Sequence, residues 1–167
     1  LKENFILTVG TLEPRKNLER LVSAFYLVKK KTSIFEKLAI VGKKGWGFSP
    51  IFEEIERLNL KDHIRFLGYL KEEDLPALYS AASLFVFPSL YEGFGLPVLE
   101  AMACGTPVLA SNTSSIPEIT GSAAFLVNPY DEKEIASGMT RILKDEKIKR
   151  EMIKKGPQKA KEFSFQK

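Results

Sequence analysis

The amino-acid sequence predicts an α/β fold, a Rossmann-like three-layer α/β/α sandwich around a parallel sheet of about six strands. The main observation is that short apolar runs rich in β-forming residues alternate with segments of helical periodicity through nearly the whole chain. The second is the composition of the 167 residues, 44% hydrophobic and 28% charged, which is typical of a globular domain. A chain of this length can hold a core without disulfides or a structural metal.

Six short apolar runs are the predicted strands. They cover residues 5–9, 38–41, 64–67, 84–87, 108–110 and 124–127. In a doubly wound sheet, ligands bind outside the carboxyl ends of the strands. The loops after Val9, Val41, Leu67 and Phe87 are therefore where binding or catalytic residues are expected.

Helical patterns fill the intervals between most of these runs. An apolar stripe from Leu18 to Val28 follows Asn17, which is predicted to be the N-cap, and similar stripes cover residues 50–58 and 72–82. A helix from about residue 96 to 104 should stop at Gly105. Residues 131–163 predict two amphipathic helices with a break at 144–145.

Charge and cysteine content indicate the partners and the compartment. The formal net charge is +4, and much of the excess lies between residues 144 and 161, where acids are interleaved. This pattern predicts a solvated helix face rather than a nucleic-acid site, and peripheral contact of the full-length protein with an anionic membrane stays open. The lone cysteine, Cys104, favours a cytoplasmic location for the protein. If the full-length protein contacts a membrane, the expected place is the inner membrane face. Residues 1–4 lack the features of a signal peptide, and no apolar run approaches the roughly 20 residues that span a bilayer.

A glycine-bearing loop follows the first strand and leads into a helix. It reads Gly-Thr-Leu-Glu-Pro-Arg-Lys-Asn over residues 10–17, so Arg15 and Lys16 lie at the start of the helix. Backbone N–H groups and the positive helix end attract phosphate, arginine adds paired donors, and lysine adds a compact charge. The loop is neither a Walker sequence nor a full G-x-G-x-x-G pattern, so it supports neither an ATPase nor a nicotinamide enzyme. Taken alone, the two cations also fit an ordinary solvated surface.

A second glycine loop follows the fourth strand, within residues 88–108. Gly93 and Gly95 allow the backbone to approach a ligand, and Pro97 near the first turn of the next helix removes no needed hydrogen bond. Glu92 precedes this helix and Glu100 lies about one turn inside it. A carboxylate accepts hydrogen bonds from vicinal hydroxyls, so the two acids could match a sugar and a ribose. The alternative is that Glu92 is an ordinary loop acid and that Glu100 faces water.

These residues resemble the signature of a known enzyme family. Glu92 and Glu100, with seven residues between them and Ala-Met-Ala-Cys-Gly-Thr-Pro-Val after them, are similar to the signature of retaining glycosyltransferases of family four. The run Val-Gly-Thr-Leu-Glu-Pro-Arg-Lys-Asn-Leu resembles the mannosyltransferase-like members. The resemblance implies that the chain is one half of a two-domain GT-B fold, the C-terminal, donor-binding half.

The resemblance also implies roles for the first loop. Lys16, helped by Arg15, is implied to hold the diphosphate of a nucleotide-sugar donor, with Gly10 and Thr11 beside it. Many family members have arginine directly after the first-loop glycine, where this chain has Thr11. The guanidinium contact is therefore expected to come from Arg15 or to be weakened.

The remaining implied contacts come from the second loop and from the third strand. Glu92 is implied to face the transferred sugar, and Glu100 to hold the ribose hydroxyls. The backbone of the second loop is implied to bind sugar hydroxyls and phosphate, through Gly93, Phe94, Gly95 and Leu96. The loop after the third strand is implied to line the nucleobase, through Gly68, Tyr69 and Leu70.

The expected chemistry is retaining, metal-independent glycosyl transfer. Breaking the glycosidic bond leaves negative charge on the diphosphate, which fixed cations and helix-end amides stabilise. The catalytic candidates are Arg15, Lys16 and Glu92; whether Glu92 acts as a nucleophile or as a stabiliser stays open. The aspartates, at 62, 74, 131 and 145, form no Asp-x-Asp motif, so neither a metal nor another cofactor is expected.

The expected partners are a nucleotide-diphosphate sugar, with GDP-mannose as the leading donor by resemblance, and a missing N-terminal acceptor-binding domain. Residues 1–167 would then be a single-domain fragment that cannot transfer sugar alone. The alternatives are a stand-alone nucleotide- or sugar-binding module and a receiver-like or flavodoxin-like domain, although the latter needs an acidic pocket or a flavin loop. His63 is expected to be a solvated turn residue, and Trp46 to pack its loop onto the domain.

Overall fold

A six-stranded parallel sheet forms the centre of the computed structural model, which describes residues 3–163. The sheet confirms the predicted α/β sandwich and the number of strands. Every predicted strand is present, with ends within one residue of the prediction. The strands are β1 Phe5–Val9, β2 Lys37–Val41, β3 Ile64–Gly68, β4 Leu84–Phe87, β5 Val108–Ser111 and β6 Phe125–Val127.

The strand order is β3-β2-β1-β4-β5-β6, and all neighbours pair in parallel. The chain first builds the sheet outward from β1 to β3 and then crosses back to place β4 on the other side of β1. The loops that leave β1 and β4 therefore diverge at the carboxyl edge, and this is the point where α/β sheets bind ligands. Both glycine loops identified in the sequence start there.

Seven α-helices of the described residues cover the two faces of the sheet. They are α1 Leu18–Lys31, α2 Ser49–Arg57, α3 Leu75–Ala81, α4 Leu96–Ala103, α5 Ile116–Thr120, α6 Glu132–Lys144 and α7 Glu146–Lys161. Helices α1, α2 and α6 pack on one face, and α3, α4 and α5 on the other, with α7 against α4 and α5. Because both faces are covered, the central strands β1 and β4 are apolar along their length except at Thr8, which is buried.

Local signals set the helix ends. Gly105 has a φ of 72° just after α4, which is the left-handed conformation that ends a helix. Asp145 lies at the predicted break, and its carboxylate accepts hydrogen bonds from the first N–H groups of α7. The predicted helix 72–82 differs in one respect: residues 72–74 form a 3-10 turn, and α3 begins at Leu75. Helix α5 is new, and its five residues are too few for a periodic pattern.

Asn17 holds the predicted N-cap position of α1, where its carbonyl accepts from the Leu21 N–H, but its side chain does not cap the helix. Asn17 has a left-handed backbone, with a φ of 59°, and its side chain makes no cap hydrogen bond to α1. Its Nδ2 instead donates to the carbonyls of Pro88 and Pro129. Tertiary contacts therefore outweigh the local capping preference at this position.

Among the described residues, no helix is both long enough and apolar enough to cross a bilayer. The expectations about the first two residues and about residues 164–167 lie outside the part of the chain that the structure describes.

Candidate functional site

The loops after β1 and β4 are joined directly at the switch point of the sheet. The Leu90 N–H donates to the Arg15 carbonyl at 2.8 Å. Asn17 Nδ2 donates to the Pro88 carbonyl at 3.0 Å and to the Pro129 carbonyl at 2.7 Å. Asn17 is buried, so these bonds are shielded from water. They hold the loop that carries the cations against the loop that carries Glu92.

Lys16, Arg15 and Glu92 form one ion cluster between these loops. Lys16 Nζ donates to Glu92 Oε1 at 2.6 Å, and Arg15 Nη1 donates to Glu92 Oε2 at 2.9 Å. The Arg15 guanidinium also forms an ion pair with Glu13. The Lys16 and Glu92 side chains are only 9% and 8% exposed, whereas that of Arg15 is 45% exposed. Ordinary surface charges do not explain a lysine and a glutamate that are both buried and paired.

The site is built so that Lys16 has room. A Cβ added to Gly10 would lie 3.0 Å from Lys16 Cε, so the lysine stem passes directly over this glycine. Lys16 Nζ also lies 4.7 Å from the centre of the Phe87 ring at the end of β4, a favourable cation–π distance. The sequence therefore places a small residue below the lysine and an aromatic ring beside it.

The environment keeps Arg15 charged. Burial disfavours the cation, but the hydrogen bond and charge of Glu92, together with Glu13, outweigh this effect and raise the pKa of the guanidinium. Arg15 and Lys16 carry two positive charges against the two negative charges of Glu13 and Glu92. The unliganded cluster is thus close to neutral.

The start of α4 offers backbone donors beside this cluster. In the described part of the chain, the N–H groups of residues 93–96, which cover the last loop residues, the N-cap Gly95 and the first helical residue, donate to no other protein group. A Cβ on Gly93 would meet nothing within 4 Å, so this backbone is open. Gly95 has a φ of 96°, and a Cβ there would lie 2.6 Å from Ile116 Cδ1. Gly93 therefore leaves space, and Gly95 is required by its conformation and packing. Phe94 and Leu96 expose their side chains.

Glu100 lies on the second turn of α4 and does not join the ion cluster. Its Oε2 accepts a hydrogen bond from the Tyr79 hydroxyl at 2.9 Å. Burial of Tyr79, and then the charge and hydrogen bond of Glu100, raise the pKa of the phenol far above its usual value, so Tyr79 remains a donor. One carboxylate oxygen of the exposed Glu100 is therefore held in place.

The loop after β3 lies alongside the first glycine loop through β2. The Gly42 N–H donates to the Gly68 carbonyl at 2.8 Å. A Cβ on Gly42 would lie 1.9 Å from the Gly10 oxygen, so only glycine fits there. The Tyr69 ring is 61% exposed, with Lys43 Nζ 4.4 Å from its centre, and Leu70 is half-buried.

Three other residues raised by the sequence lie outside the ion cluster. Thr11 is exposed, and its methyl group faces Gly45. Trp46 is 72% exposed, so the expectation that it packs its loop onto the domain is wrong. His63 ends a 3-10 turn before β3 and is half-buried. Among residues 3–163, the side-chain hydrogen bonds and ion pairs of Lys16 and Glu92 involve none of these three.

The loop after β5 supplies contacts that the sequence analysis missed. The hydroxyls of Thr113, Ser114 and Ser115 all bond to the backbone between Leu90 and Phe94. The available signal was three consecutive hydroxyl residues just after a buried strand, at the carboxyl edge. Hydroxyl residues in loops are so common that this signal is weak without the tertiary contacts.

A cleft of about 370 Å³ lies between α1, α2 and the β1 loop and shares Glu13 with the ion cluster. Its wall carries a net negative charge, because it includes four acids and one arginine: Glu13, Glu19, Glu54, Glu132 and Arg20. These charges oppose a phosphate ligand, so the ion cluster suits an anion better than this cleft does. Within residues 3–163, no group of three or more His, Cys, Asp or Glu side chains is placed to hold a metal ion.

The arrangement of these residues can bind an anionic ligand that accepts hydrogen bonds from the cations and from the backbone N–H groups. Lys16 and Arg15 can exchange Glu92 for phosphate oxygens, and the free N–H groups of residues 93–96 lie in the loop that leaves the same carboxyl edge of the sheet. Glu100 provides an acceptor for hydroxyl groups one turn further along the helix. Such an arrangement fits a ligand with phosphate at its centre and hydroxylated rings on either side.

Comparison with known proteins gives a family match over most of the chain. The family model described as "Glycosyl transferases group 1" matches residues 1–159. The chain is 41% identical to O-antigen chain mannosyltransferase B of Escherichia coli over 164 residues, which is 98% of this chain and 43% of that protein. It is 39% identical to O-antigen chain mannosyltransferase RfbU of Salmonella typhimurium over 142 residues, or 84% of this chain and 39% of that protein.

Solved structures share the fold. Sucrose-phosphate synthase from Thermosynechococcus elongatus superposes with a TM-score of 0.86 at 34% identity, over 96% of this chain and 41% of that one. Anabaena Alr3699/HepE, solved in complex with UDP and glucose, gives 0.85 at 26% identity, over 95% and 44%. The chain thus spans less than half the length of the proteins it resembles.

Proposed function

The chain belongs to the group 1 glycosyl transferases, and from this premise we propose that it binds the nucleotide-diphosphate sugar donor of a glycosyl transfer reaction. The observation that carries the proposal is the buried Lys16–Glu92 pair beside Arg15, at the switch point between β1 and β4. Lys16 is buried and pairs with a carboxylate on a loop, and among residues 3–163 Glu92 is its one carboxylate partner, so it is well suited to exchange that partner for phosphate.

Each residue then has a role that follows from its surroundings. We assign Lys16 and Arg15 to the diphosphate, because both are donors beside the free amides of residues 93–96. Glu92, released from the cations, would face the transferred sugar. Glu100, oriented by Tyr79, would accept from the ribose hydroxyls, and residues 68–70 would line the nucleobase.

We propose a retaining reaction, as the resemblance to family-four glycosyltransferases implies. We also propose that it needs no metal, because fixed cations supply the positive charge at the diphosphate. As the bond between sugar and diphosphate breaks, negative charge grows on the phosphate oxygens and positive character grows on the sugar ring. Lys16, Arg15 and the α4 amides stabilise the leaving group, and the Glu92 carboxylate stabilises the ring. This assignment makes Glu92 important for transfer and unnecessary for binding of the nucleotide product.

We propose GDP-mannose as the donor. The mannose follows from two bacterial relatives that are named mannosyltransferases at about 40% identity. The guanine follows from the resemblance of the loop motif to mannosyltransferase-like members. Because a structural neighbour was solved with UDP, UDP-sugars are the competing donor class to be tested beside it.

The acceptor-binding part is proposed to lie in the remainder of a longer protein, because this chain spans 43% of its Escherichia coli relative. We therefore expect the chain alone to bind donor without transferring sugar. A cytoplasmic location is proposed with it, in agreement with the unpaired Cys104. Transfer of sugar to an added acceptor by the chain alone would contradict the proposal that the acceptor-binding part lies elsewhere in a longer protein.

Calorimetric titration tests the proposed function. GDP, UDP and ADP are each titrated into the chain with and without a chelator, and one of them, GDP on this account, should bind most tightly and equally well in both buffers. Lys16→Met keeps the length of the buried side chain and should weaken binding about 10- to 100-fold, the value of a charged hydrogen bond. Lys154→Ala, at an exposed lysine of α7, is the matched control. Failure of all three nucleotides to bind would overturn the proposal.

A further inference from the structure

The backbone of the Glu92 loop is held by one short segment of the chain, residues 113–115, between β5 and α5. The Glu92 N–H donates to Ser114 Oγ at 2.9 Å. Ser115 Oγ lies 3.2 Å from the Glu92 carbonyl and 3.0 Å from the Phe94 carbonyl, and Thr113 Oγ1 lies 3.3 Å from the Leu90 carbonyl. Three consecutive hydroxyls thus bond to the backbone of residues 90, 92 and 94.

Ser114 has a backbone conformation that serine rarely adopts. Its φ is 50°, and it is one of three non-glycine residues with positive φ among residues 3–163. The left-handed region is unfavourable for a residue with a Cβ, and glycine would adopt it without that cost. The hydroxyl of Ser114 is what glycine would lack, and this hydroxyl accepts the bond from Glu92.

Residues 113–115 are followed by residues that contact the start of α4. Helix α5 follows directly, and Ile116 and Ile119 pack against the Cα of Gly95. The loop from 90 to 95 is therefore fixed by hydrogen bonds in its first part and by apolar contacts at Gly95. With both backbone groups of Glu92 bonded, its carboxylate can exchange partners while its Cα stays in place.

We infer that Ser114 and Ser115, assisted by Thr113, are positioning residues that fix the Glu92 backbone. They thereby hold the Glu92 carboxylate and the free amides of residues 93–96 in a constant position relative to Lys16 and Arg15. The identity of the ligand, a nucleoside diphosphate, rests on the proposed function. The positioning of Glu92 rests on the hydrogen bonds alone. The segment touches the loop through its backbone, so its effect does not depend on the nucleobase or on the sugar.

Ser114→Gly separates positioning from folding. The substitution relieves the left-handed strain but also removes one hydrogen bond, and because the two effects oppose each other, thermal stability should change little. It also removes the acceptor for the Glu92 N–H, so affinity for GDP should fall about tenfold, the effect of one lost hydrogen bond at a part-buried position. Ser115→Ala should weaken binding similarly, and Ser115→Thr, which keeps the hydroxyl, should restore it to within about threefold. Ser122→Ala, at an exposed turn, is the control.

Amide exchange measured by NMR provides a readout that needs no ligand. In Ser114→Gly the Glu92 N–H should exchange at least about fivefold faster, because its acceptor is gone. The Leu90 N–H, bonded to Arg15, should keep its rate. Unchanged Glu92 exchange would overturn the inference whatever the nucleotide does.

The binding results distinguish this inference from the proposed function. If the unsubstituted chain binds GDP and both Ser114→Gly and Ser115→Ala bind it equally well, the inference fails and the proposed function stands. If affinity falls only in proportion to thermal stability, the segment is merely structural and the inference fails. If the unsubstituted chain binds no nucleotide, the proposed function fails, and the exchange rates alone decide whether these hydroxyls position Glu92.

Discussion

Glu92→Gln should have opposite effects on folding and on nucleotide binding. The carboxylate joins Lys16 at 2.6 Å and Arg15 at 2.9 Å, and the cluster with Glu13 is close to neutral without a ligand. Glutamine keeps the size and one acceptor oxygen but removes the charge. The substitution therefore leaves a buried lysine with no full counter-ion and a site with one excess positive charge.

The expected loss of stability follows from the burial of the pair. A hydrogen bond between charged groups contributes about 1.5–3 kcal/mol, and the Lys16 pair is less than 10% exposed. The Arg15 contact adds little, because the arginine side chain is 45% exposed and a screened pair contributes about 0–1 kcal/mol. A total of about 1.5–4 kcal/mol corresponds to a decrease in Tm of about 3–16 °C for a domain of this size.

Nucleotide affinity should rise in the same variant. In the unsubstituted chain the diphosphate must displace the Glu92 carboxylate, whereas in Glu92→Gln it meets two cations without an anionic competitor. We expect GDP to bind about tenfold more tightly, and saturating GDP to raise the Tm of the variant more than that of the parent. Calorimetry and thermal scans measure the two effects. Unchanged or weaker GDP binding, together with unchanged stability, would refute the idea that Glu92 occupies the position of the phosphate.

Three further predictions follow from single contacts. Asn17→Gly keeps the left-handed backbone but leaves the Pro88 and Pro129 carbonyls without their donor, so urea denaturation should show a loss of about 2–4 kcal/mol; a loss below about 0.5 kcal/mol would mean that the two loops are held by other contacts. Tyr79→Phe removes the donor that orients Glu100 and should weaken GDP binding about threefold to tenfold, with pyrophosphate binding unchanged in a parallel titration; equal losses for both ligands would contradict a ribose role. The hydrogen bond from Arg57, opposed by burial and supported by Ser23, lowers the pKa of Glu54, so its contribution is present above the ordinary pKa of 4.5 and is lost as the pH falls through the lowered value. Glu54→Gln should therefore cost up to about 1 kcal/mol at neutral pH and nothing at pH values below the lowered pKa, and a difference that persists in acid would contradict that assignment.

The strands were predictable because their signal is local. Residues 84–87 and 108–111 are buried on both faces, and such strands are apolar along their length whatever their neighbours are. The end of α4 was equally local, because a glycine at 105 suits the left-handed conformation found there. The order of the strands was not predicted, because the alternation of βα units indicates a parallel sheet but not which strands are neighbours.

The candidate site was predictable only in part. The sequence indicated Arg15, Lys16 and Glu92, and the structure brings all three into direct contact. The sequence did not predict that the two cations pair with Glu92. A ligand-binding role says which groups contact the ligand, but not what those groups contact when the ligand is absent. Neither motif carries information on which buried partner satisfies a charge.

Asn17 and Ser114 were missed for a common physical reason. Both adopt a left-handed backbone that local preferences disfavour, and both are held by hydrogen bonds to residues at least 22 positions away. Asparagine before a helical stripe is usually a cap, and serine in a loop is usually solvated. Contacts between distant loops decide these conformations, and a single sequence does not report them.

The structure of the chain crystallised with GDP, and with UDP as the alternative, is the most direct measurement. We expect the diphosphate oxygens within about 2.7–3.2 Å of Lys16 Nζ and of the N–H groups at the start of α4, with Glu92 released from Lys16 and Glu100 near the ribose. A nucleotide that lies elsewhere, with Lys16 and Arg15 still joined to Glu92, would contradict the account.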